Sequence, residues 1–516
     1  MKRRDLLVLF LLAAAVRLAA AVFVRQPGYM DVSYYSAGAR QLASGGGLTE
    51  NFLWNYLDDP AGLPHPGFLY WMPLPALLAA PAVALLGRSF LAAQLPFVLL
   101  SALLPLIGYA VAWQTTGVRR HAWAAGLLIL FSGFFFPYWT LPETFAPFAV
   151  FGSLALWLSA SRTGRLTLLA AGACAGLAHL TRADGVLLLP VALLGVALTS
   201  WRRGAGGGPS VLVRRAALVI LGYLLVTAPW FARNLVVTSA PLPAAGAKTL
   251  WLTTYDDLFC YRCDLSPRSY LAWGWGNILD SKLAALWINF QRFLAEDCLV
   301  FLFPFLLIGL YRLRRRPPFI LTSVYLLLLV AVHSLAFTFP GWRGGFFHSS
   351  AALLPFLFTA GLEGLDAATA WPARRRRGWN TAQARRFFTV AIVILAAIMS
   401  LTVSVPMIRR WNQTDRVYDQ IGAWLAANAP AGATVMVGNP PSFWYHTGRP
   451  AVVAPNGGPD TLLAVCGRYS VTYVILDANR PADLADLYAG APLAGLEQVA
   501  TFANGQVRLY RIRITN

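Results

Sequence analysis

The sequence predicts a polytopic α-helical membrane protein that ends in a small α/β domain. Of its 516 residues, 57% are hydrophobic and 12% are charged, whereas soluble domains carry about 25% charged residues. Apolar runs of about 17 to 25 residues recur, which is the length that crosses a hydrocarbon core of about 30 Å. The basic residues lie in short clusters between these runs. We therefore assign the net charge of +20 to membrane-flanking loops, and we expect no nucleic-acid partner.

Eleven apolar runs are predicted to be transmembrane helices. They are residues 6–25, 90–113, 121–137, 142–160, 166–180, 184–200, 213–232, 295–311, 319–339, 346–363 and 387–406. The N-terminus also resembles a signal peptide. Because Arg17 interrupts the first apolar run and the run continues to Val24, we favour an uncleaved first span.

The arginine clusters predict the orientation of these spans. With the basic N-terminus inside, every second loop is expected to be basic. The clusters that follow this rule are Arg119-Arg120, Arg162 with Arg165, Arg202 through Arg215, Arg312 through Arg316, and Arg374 through Arg386. The sequence thus predicts a cytoplasmic N-terminus and an extracytoplasmic C-terminal domain. The Ala/Gly/Arg-rich composition favours a cell inner (plasma) membrane.

Residues 73–87 are apolar, but they are short and interrupted by proline. If they spanned the membrane, every later loop would change sides and the arginine clusters would lie outside. We therefore expect an interfacial or re-entrant helix, so that the lipid bilayer is crossed eleven times.

The outer loop 27–72 contains the first candidate for chemistry. A structureless loop of this length is uncommon and more often functional than not. It carries Asp31 close to Tyr34 and Tyr35, and its proline-aromatic end contains His65. A positioned carboxylate can act as a general base on a hydroxyl group. Composition alone favours an exposed loop acid without a function, and the position of a second acid favours the functional interpretation.

Further polar residues lie at the outer ends of predicted spans. Glu143 opens a span on the same side as Asp31, so two carboxylates are placed to converge. Arginine and histidine also occur there against the positive-inside trend, at Arg182, Arg233, Arg343 and His348. A guanidinium group is well shaped to bind a lipid phosphate; the alternative is that these side chains only reach the headgroups.

Three other features have open interpretations. Arg17 is expected to face a cavity or a carboxylate, because a lone intramembrane charge costs roughly 2.5–3.5 kcal/mol. Asp58-Asp59 and Asp256-Asp257 are acid pairs of a kind that can hold a divalent cation, but such pairs are common in loops, so we predict no cofactor and no metal site. Cys260 and Cys263 form either a disulfide or no bond.

The tail from residue 407 has a different pattern. A helical pattern at 417–427 precedes strand-like runs at 434–438, 451–455 and 471–477, with helices expected near 460–468 and 482–489. This alternation predicts a partly parallel sheet. We divide the chain into a membrane domain, 1–406, with an outer segment at 233–294, and an extracytoplasmic α/β domain, 407–516. The latter has no phosphate loop or triad motif and is expected to cover the site or select substrates.

In combination, these features resemble the GT-C superfamily of integral membrane glycosyltransferases. The shared features are an N-in first span, an outer loop that opens with an acid before Tyr34-Tyr35, a short apolar segment, the Pro142-Glu143 turn and an α/β tail. The resemblance covers roughly residues 1–363. It is to the polyprenyl-phosphate-sugar-dependent protein O-mannosyltransferase, aminoarabinose transferase and RgtA-like groups. Many members have a second acid after the first, where this chain has Val32.

The resemblance implies a glycosyltransferase that moves a hexosyl or pentosyl group from a polyprenyl-phosphate sugar to a cell-envelope acceptor, which is a glycan, lipid or protein. It implies extracytoplasmic transfer with inversion, with Asp31 as general base and Glu143 as the second acid. The substrate-binding candidates are Tyr34, Tyr35, His65, Arg182, Arg233, Arg343 and His348. The alternative is a transporter or lipid flippase. Such proteins are usually built from internal repeats, and we detect none.

Overall fold

The chain folds as a mainly helical bundle, described by a computed structural model for residues 2–161, 164–201, 209–477 and 481–513. The helices of the first half are α1 (Arg3–Phe23), α2 (Met30–Ala43), α3 (Leu74–Leu86), α4 (Phe90–Thr116), α5 (Arg119–Leu130), α6 (Phe145–Ala160), α7 (Arg165–Thr181), α8 (Leu188–Trp201), α9 (Pro209–Thr238), α10 (Ala244–Lys248) and α11 (Pro267–Ala272). Those of the second half are α12 (Trp275–Arg292), α13 (Phe303–Leu313), α14 (Pro317–Ala331), α15 (Thr338–Pro340), α16 (Phe346–Ser350), α17 (Leu354–Ala370), α18 (Thr381–Trp411), α19 (Val417–Asn428), α20 (Pro440–Thr447), α21 (Pro459–Arg468) and α22 (Ala485–Ala489).

Within the described residues, seven helices are long and apolar enough to cross a membrane, and four further apolar helices are shorter. Every predicted span contains one helix or more, but some of these helices are shorter than predicted. The helix in span 295–311 starts only at Phe303, because Leu299 and Val300 have left-handed backbones and Pro304 begins a new helix. The total of eleven spans stays a prediction.

The outer loop 27–72 is more ordered than predicted. It contains α2, so the expectation of a structureless loop is wrong at the position of Asp31, which lies in the first turn of this helix. A carboxylate there is favoured by the helix dipole. Residues 73–87 do form a helix, α3, which starts with proline and contains Pro81. Its interfacial position stays a prediction.

The C-terminal residues form the predicted partly parallel sheet. Its strands are β4 (Thr434–Val437), β5 (Ala451–Val453), β6 (Val471–Leu476), β7 (Leu496–Phe502) and β8 (Val507–Ile512). The outer loop contains β1 (Thr49–Glu50), β2 (Phe52–Leu53) and β3 (His65–Pro66). Strands β1 and β3 pair with each other, whereas β2 joins the C-terminal sheet. The six-stranded order is β2-β5-β4-β6-β8-β7, parallel from β2 to β6 and antiparallel beyond. The sheet therefore contains one strand from the outer loop, with Phe52 opposite Ala451.

Glycines let pairs of helices approach closely. A Cβ atom at Gly309 of α13 would lie 1.8 Å from the Ala360 carbonyl oxygen of α17, and one at Gly364 would lie 1.8 Å from that of Phe305. Such small-residue contacts are typical of helix packing in membranes. They hold α17 against α13, directly after the segment that carries His348.

Ion pairs gather the arginine clusters at one end of the bundle, which we call the basic end. There Arg119 at the start of α5 binds Asp5 at the start of α1, with Nη2 to Oδ1 at 2.6 Å. Arg316 donates to the Thr115 carbonyl oxygen at the end of α4. Helices α1 and α5 run from this end toward residues 29–31 and 143. The predicted Arg162, Arg202 and Arg203 lie outside the described residues.

Candidate active site

Three side chains that can accept or hold a proton meet at the end of the bundle opposite to the basic end. Asp31 comes from α2, Glu143 from the turn before α6, and His348 from α16. The His348 Nε2 atom lies 4.0 Å from Asp31 Oδ2, and its Nδ1 atom lies 3.6 Å from Glu143 Oε2. The two acids thus converge as expected, with an imidazole between them.

Glu143 forms the closed side of this cluster. Its side chain is fully buried, and Oε1 accepts a hydrogen bond of 2.7 Å from the Tyr29 hydroxyl. The Thr144 hydroxyl lies 2.7 Å from His348 Nδ1, which orients the ring.

Asp31 is the open side of the cluster. One third of its side chain (33%) is exposed, so a substrate can reach the carboxylate. Desolvation in the cleft raises the pKa of Asp31 to about 6, while the nearby positive charge of Arg182 opposes this effect. The group is therefore mostly ionised at neutral pH but remains basic enough to accept a proton.

Arg182 belongs to a second set of polar groups beside the cluster. Its Nε atom donates to Asp184 Oδ1 and to Ser349 Oγ, both at 3.1 Å. Asp184 also accepts from the Ser349 hydroxyl and lies 2.9 Å from His333 Nε2. Sequence reasoning gave no role to Asp184 and His333. The Arg182-Ala183-Asp184 turn was a sequence feature that could have identified Asp184, whereas no sequence feature pointed to His333.

Aromatic rings border the cluster on the loop side. Tyr35 stacks on Trp71 with ring centres 6.1 Å apart, and Trp71 stacks on Trp54 at 4.3 Å. Arg343 lies over the ring of Tyr255 at 4.4 Å. Burial raises the pKa of Tyr255 to about 12, and the charge of Asp31 contributes while that of Arg343 opposes. Tyr255 thus lies within electrostatic reach of both residues.

Three residues that the sequence predicted to bind substrate, Tyr34, His65 and Arg233, contact residues of the outer loop in this structure. The Tyr34 hydroxyl donates to Glu50 Oε1 at 2.5 Å, and His65 Nε2 lies 3.7 Å from Glu50 Oε2. Arg233 donates to the carbonyl oxygens of Leu48 and Gly67. A buried carboxylate requires hydrogen-bond donors. Glu50, which sequence reasoning missed, is such a carboxylate, and Tyr34 and His65 are among its partners. Substrate binding by Tyr34, His65 and Arg233 stays a prediction.

The carboxylate expected beside Arg17 is not found among the described residues, and a cavity beside it stays a prediction. The guanidinium group is fully buried. It lies over the rings of Phe136 and Trp139 at 5.1 and 5.7 Å, and Nη2 donates to the Ile129 carbonyl oxygen. Cation–π contacts replace the expected ion pair.

In each of the two acid pairs, Asp58-Asp59 and Asp256-Asp257, one carboxylate accepts a hydrogen bond from another part of the protein. Asp59 accepts a hydrogen bond from the Tyr469 hydroxyl, and Asp257 accepts from the backbone of Thr253. Cys260 and Cys263 are disulfide-bonded. In the described part of the chain, the one group of three metal-ligand side chains is Asp31, Glu143 and His348, whose donor atoms lie within 4.8 Å of one another.

Comparisons with known proteins identify the fold. No family model matches this sequence, and no curated protein matches it significantly. ArnT from Cupriavidus metallidurans bound to undecaprenyl phosphate superposes with a TM-score of 0.59 at 15% identity, over 100% of this chain and 99% of that chain. The Archaeoglobus fulgidus oligosaccharyltransferase AglB, in complex with an inhibitory peptide and a dolichol-phosphate, superposes with a TM-score of 0.56 at 13% identity. That match covers 91% of this chain and 69% of AglB.

The same oligosaccharyltransferase in complex with Zn and sulfate superposes with a TM-score of 0.55 at 14% identity, over 91% of this chain and 68% of that chain. At these identities the similarity concerns the fold. The chain has the fold of the GT-C membrane enzymes, as the sequence resemblance predicted. Together with its long apolar helices, this fold makes it a multi-pass membrane protein.

Proposed function

We propose that the chain is a membrane glycosyltransferase that moves a sugar from a polyprenyl-phosphate donor to a cell-envelope acceptor. The observation that carries this proposal is Asp31, a partly exposed carboxylate between Glu143, His348 and Arg182 at one end of a GT-C fold. The complexes of ArnT with undecaprenyl phosphate and of AglB with a dolichol-phosphate support a polyprenyl-phosphate donor.

In the proposed reaction, Asp31 takes the proton from an acceptor hydroxyl group. The acceptor oxygen attacks the anomeric carbon of the sugar, and the bond from that carbon to the phosphate oxygen breaks. Its electron pair leaves with the polyprenyl phosphate. A single displacement inverts the anomeric centre, by analogy with inverting glycoside hydrolysis. Glu143 and His348 hold the geometry around Asp31.

The departing phosphate needs positive charge, which preorganised cations supply without a proton donor. Arg182 is bound to Asp184, so we assign this task to Arg343, which lies on the Tyr255 ring. We expect Arg343→Ala to raise the KM for the donor about tenfold or more, because a charge-assisted contact with phosphate is lost. Arg262→Ala removes an arginine that lies on Tyr261 in the same manner and serves as the control. Equal KM values for the two variants would remove Arg343 from the donor site.

A divalent cation is a separate question for the same cluster. Two carboxylates and an imidazole form a ligand set that suits Zn²⁺ or Mn²⁺, and a structural neighbour binds Zn. In the proposal the carboxylate of Asp31 acts without a metal. We therefore expect transfer to be unchanged after EDTA treatment. Loss with EDTA and recovery with Zn²⁺ or Mn²⁺ would instead make Asp31, Glu143 and His348 metal ligands.

The remaining assignments are part of the proposal. Residues 407–516 form an extracytoplasmic domain over the site, the N-terminus is cytoplasmic, and the protein resides in the inner membrane. The positive charge that recurs in the loops at the basic end supports this orientation.

The proposal is tested with the full chain in membranes supplied with labelled polyprenyl-phosphate sugars. Asp31→Asn keeps the size of the side chain but removes the base, and a general base contributes about 100- to 10,000-fold. We expect transfer to fall by that factor while the protein still inserts and folds. Asp58→Asn, the same change at an exposed position of the same loop, is expected to leave transfer unchanged. Full activity of Asp31→Asn would refute the proposal.

A further inference from the structure

The basic end of the bundle contains a cavity of about 400 Å³. It lies where α4, α13 and α17 end and where α5 and α18 begin. The lining side chains that matter here are His121, Arg312, Glu363, Asp366, Arg374 and Arg385, and Trp371 lies at the rim with 53% exposure. The cavity is separated by the length of the bundle from Asp31.

The charges around this cavity are unbalanced. Asp366 accepts from Arg120 Nη2 at 2.6 and 2.8 Å and lies 3.0 Å from His121 Nε2. Glu363 accepts from Arg312 Nε at 3.1 Å. Arg385 also lies near Asp366, with Nε 3.6 Å from Oδ2 and Nη2 donating to the backbone carbonyl oxygen. Two carboxylates thus face four arginines, which leaves two positive charges in excess.

Three nitrogen-bearing side chains of the lining retain unused hydrogen-bonding capacity. Arg385 Nε is buried without a hydrogen-bond partner, since Asp366 Oδ2 lies 3.6 Å away, and His121 Nδ1 is likewise buried and unpartnered. Arg374 is exposed, and among the described residues its guanidinium group makes no hydrogen bond or ion pair; the two buried atoms are those of Arg385 and His121. A buried donor without a partner is costly, and a phosphate group accepts several N–H donors at once.

The cavity adjoins an apolar surface. Helix α18 starts beside it, four residues before Arg385. Along α18, exposed apolar side chains recur every three to four residues: Phe387, Val390, Ile394, Ile398 and Leu401, each more than half exposed. This spacing places them on one face of the helix, which is the expected surface for acyl chains. A ligand with a charged head and an apolar body fits both features.

We propose that this cavity binds the phosphate headgroup of an anionic phospholipid, whose acyl chains lie along α18. Basic pockets between membrane helices bind such headgroups. The site is distinct from the proposed donor site, because it lies at the other end of the bundle.

Native mass spectrometry of the full-length, delipidated protein tests this proposal. Phosphatidylglycerol and phosphatidylcholine with identical acyl chains are titrated, so that only headgroup charge differs. We expect tighter binding of phosphatidylglycerol and about fivefold weaker binding to Arg374→Ala, which corresponds to about 1 kcal/mol for one arginine. The Arg374 side chain has no hydrogen-bond or ion-pair partner among the described residues, so this variant is expected to keep the wild-type unfolding temperature.

Arg377→Ala provides the matched control, because it removes the same charge from the same exposed arginine run without touching the cavity. It is expected to bind phosphatidylglycerol within twofold of the wild type. Equal binding of the two lipids, or equal effects of the two variants, would overturn the proposal. Inorganic phosphate is added in a parallel thermal-unfolding series; stabilisation by phosphate as large as by phosphatidylglycerol would assign the cavity to a free anion and refute the lipid.

Discussion

At the residue scale, Asp31 is defined by two opposing influences. Its partial burial favours the protonated acid, whereas the positive charge of Arg182 favours the carboxylate. Because burial dominates, the pKa of Asp31 lies at about 6 instead of near 4. A neighbouring charge therefore opposes the effect of burial on a candidate base whose side chain is one-third exposed.

This balance predicts the pH dependence of transfer. Only the carboxylate form of Asp31 accepts a proton, so the rate should fall as the pH drops through about 6 and level off above it. Arg182→Gln removes the charge that lowers the pKa, so the midpoint should move about one pH unit upward. Rate against pH from 4.5 to 8.5, normalised for each variant, is the measurement.

Normalisation separates this effect from structural damage, since Arg182 also binds Asp184 and Ser349 and its loss lowers the overall rate. Arg233→Gln removes an arginine that holds loop carbonyl oxygens, and it should leave the midpoint in place. An unchanged midpoint in Arg182→Gln would show that another group is the base.

At the element scale, the bundle depends on close backbone contact between helices. Gly309 of α13 and Gly364 of α17 each lie against a carbonyl oxygen of the other helix. There is no room for a methyl group at either position, because the obstacle is backbone and cannot rotate away. The helices would have to separate.

We expect Gly309→Ala to destabilise the protein by about 1–3 kcal/mol, as overpacking does in general. Transfer should also decrease, because the segment that carries His348 leads directly into α17. Thermal unfolding in detergent and transfer in membranes are the measurements. Gly276→Ala places the same methyl group on α12, where nothing lies within 4 Å, and should be neutral or slightly stabilising; an equal loss in both variants would contradict the contact.

At the scale of the whole molecule, the outer loop and the C-terminal residues share one sheet. Strand β2 of the loop pairs with β5, and the Tyr56 hydroxyl donates to the Val453 carbonyl oxygen. The loop also carries Asp31. The C-terminal residues therefore brace the loop that holds the candidate base, which goes beyond the covering role that the sequence predicted.

A cross-link tests this arrangement. Leu53 and Val452 are register partners, and neighbouring strands lie about 4.8 Å apart. Leu53→Cys with Val452→Cys should therefore form a disulfide on mild oxidation, detected as a linked peptide by mass spectrometry. Leu53→Cys with Val474→Cys places the second thiol on β6, which is separated from β2 by strands β5 and β4. This pair should not cross-link. The opposite result would refute the shared sheet.

Much of the fold could be predicted because it follows from local properties. Apolar run length and arginine clusters depend on the chain alone, since the bilayer imposes one length and one charge rule on every span. The alternation in the tail likewise predicted a partly parallel sheet. The helix around Asp31 was missed because its apolar, aromatic and polar residues follow no single period.

The site was only partly predictable for the same reason. Asp31 and Glu143 could be selected from the sequence because each follows or opens a predicted span, where a short-range signal exists. The structure brings them together around His348, and their catalytic roles stay predictions. Glu50 and Asp184 were missed, because their roles depend on donors that are remote in sequence, such as Phe68 and His333. No pattern in a single sequence records such pairings.

The sequence by itself thus determined a GT-C-like membrane bundle, its polar end and the two acids, because hydropathy and charge act residue by residue. Only the tertiary structure decided which groups face one another. It placed His348 between the acids, turned Tyr34 and His65 toward Glu50, and joined the loop to the C-terminal sheet. The physical reason is that buried polar groups must find partners wherever the folded chain brings them, at any distance along the sequence.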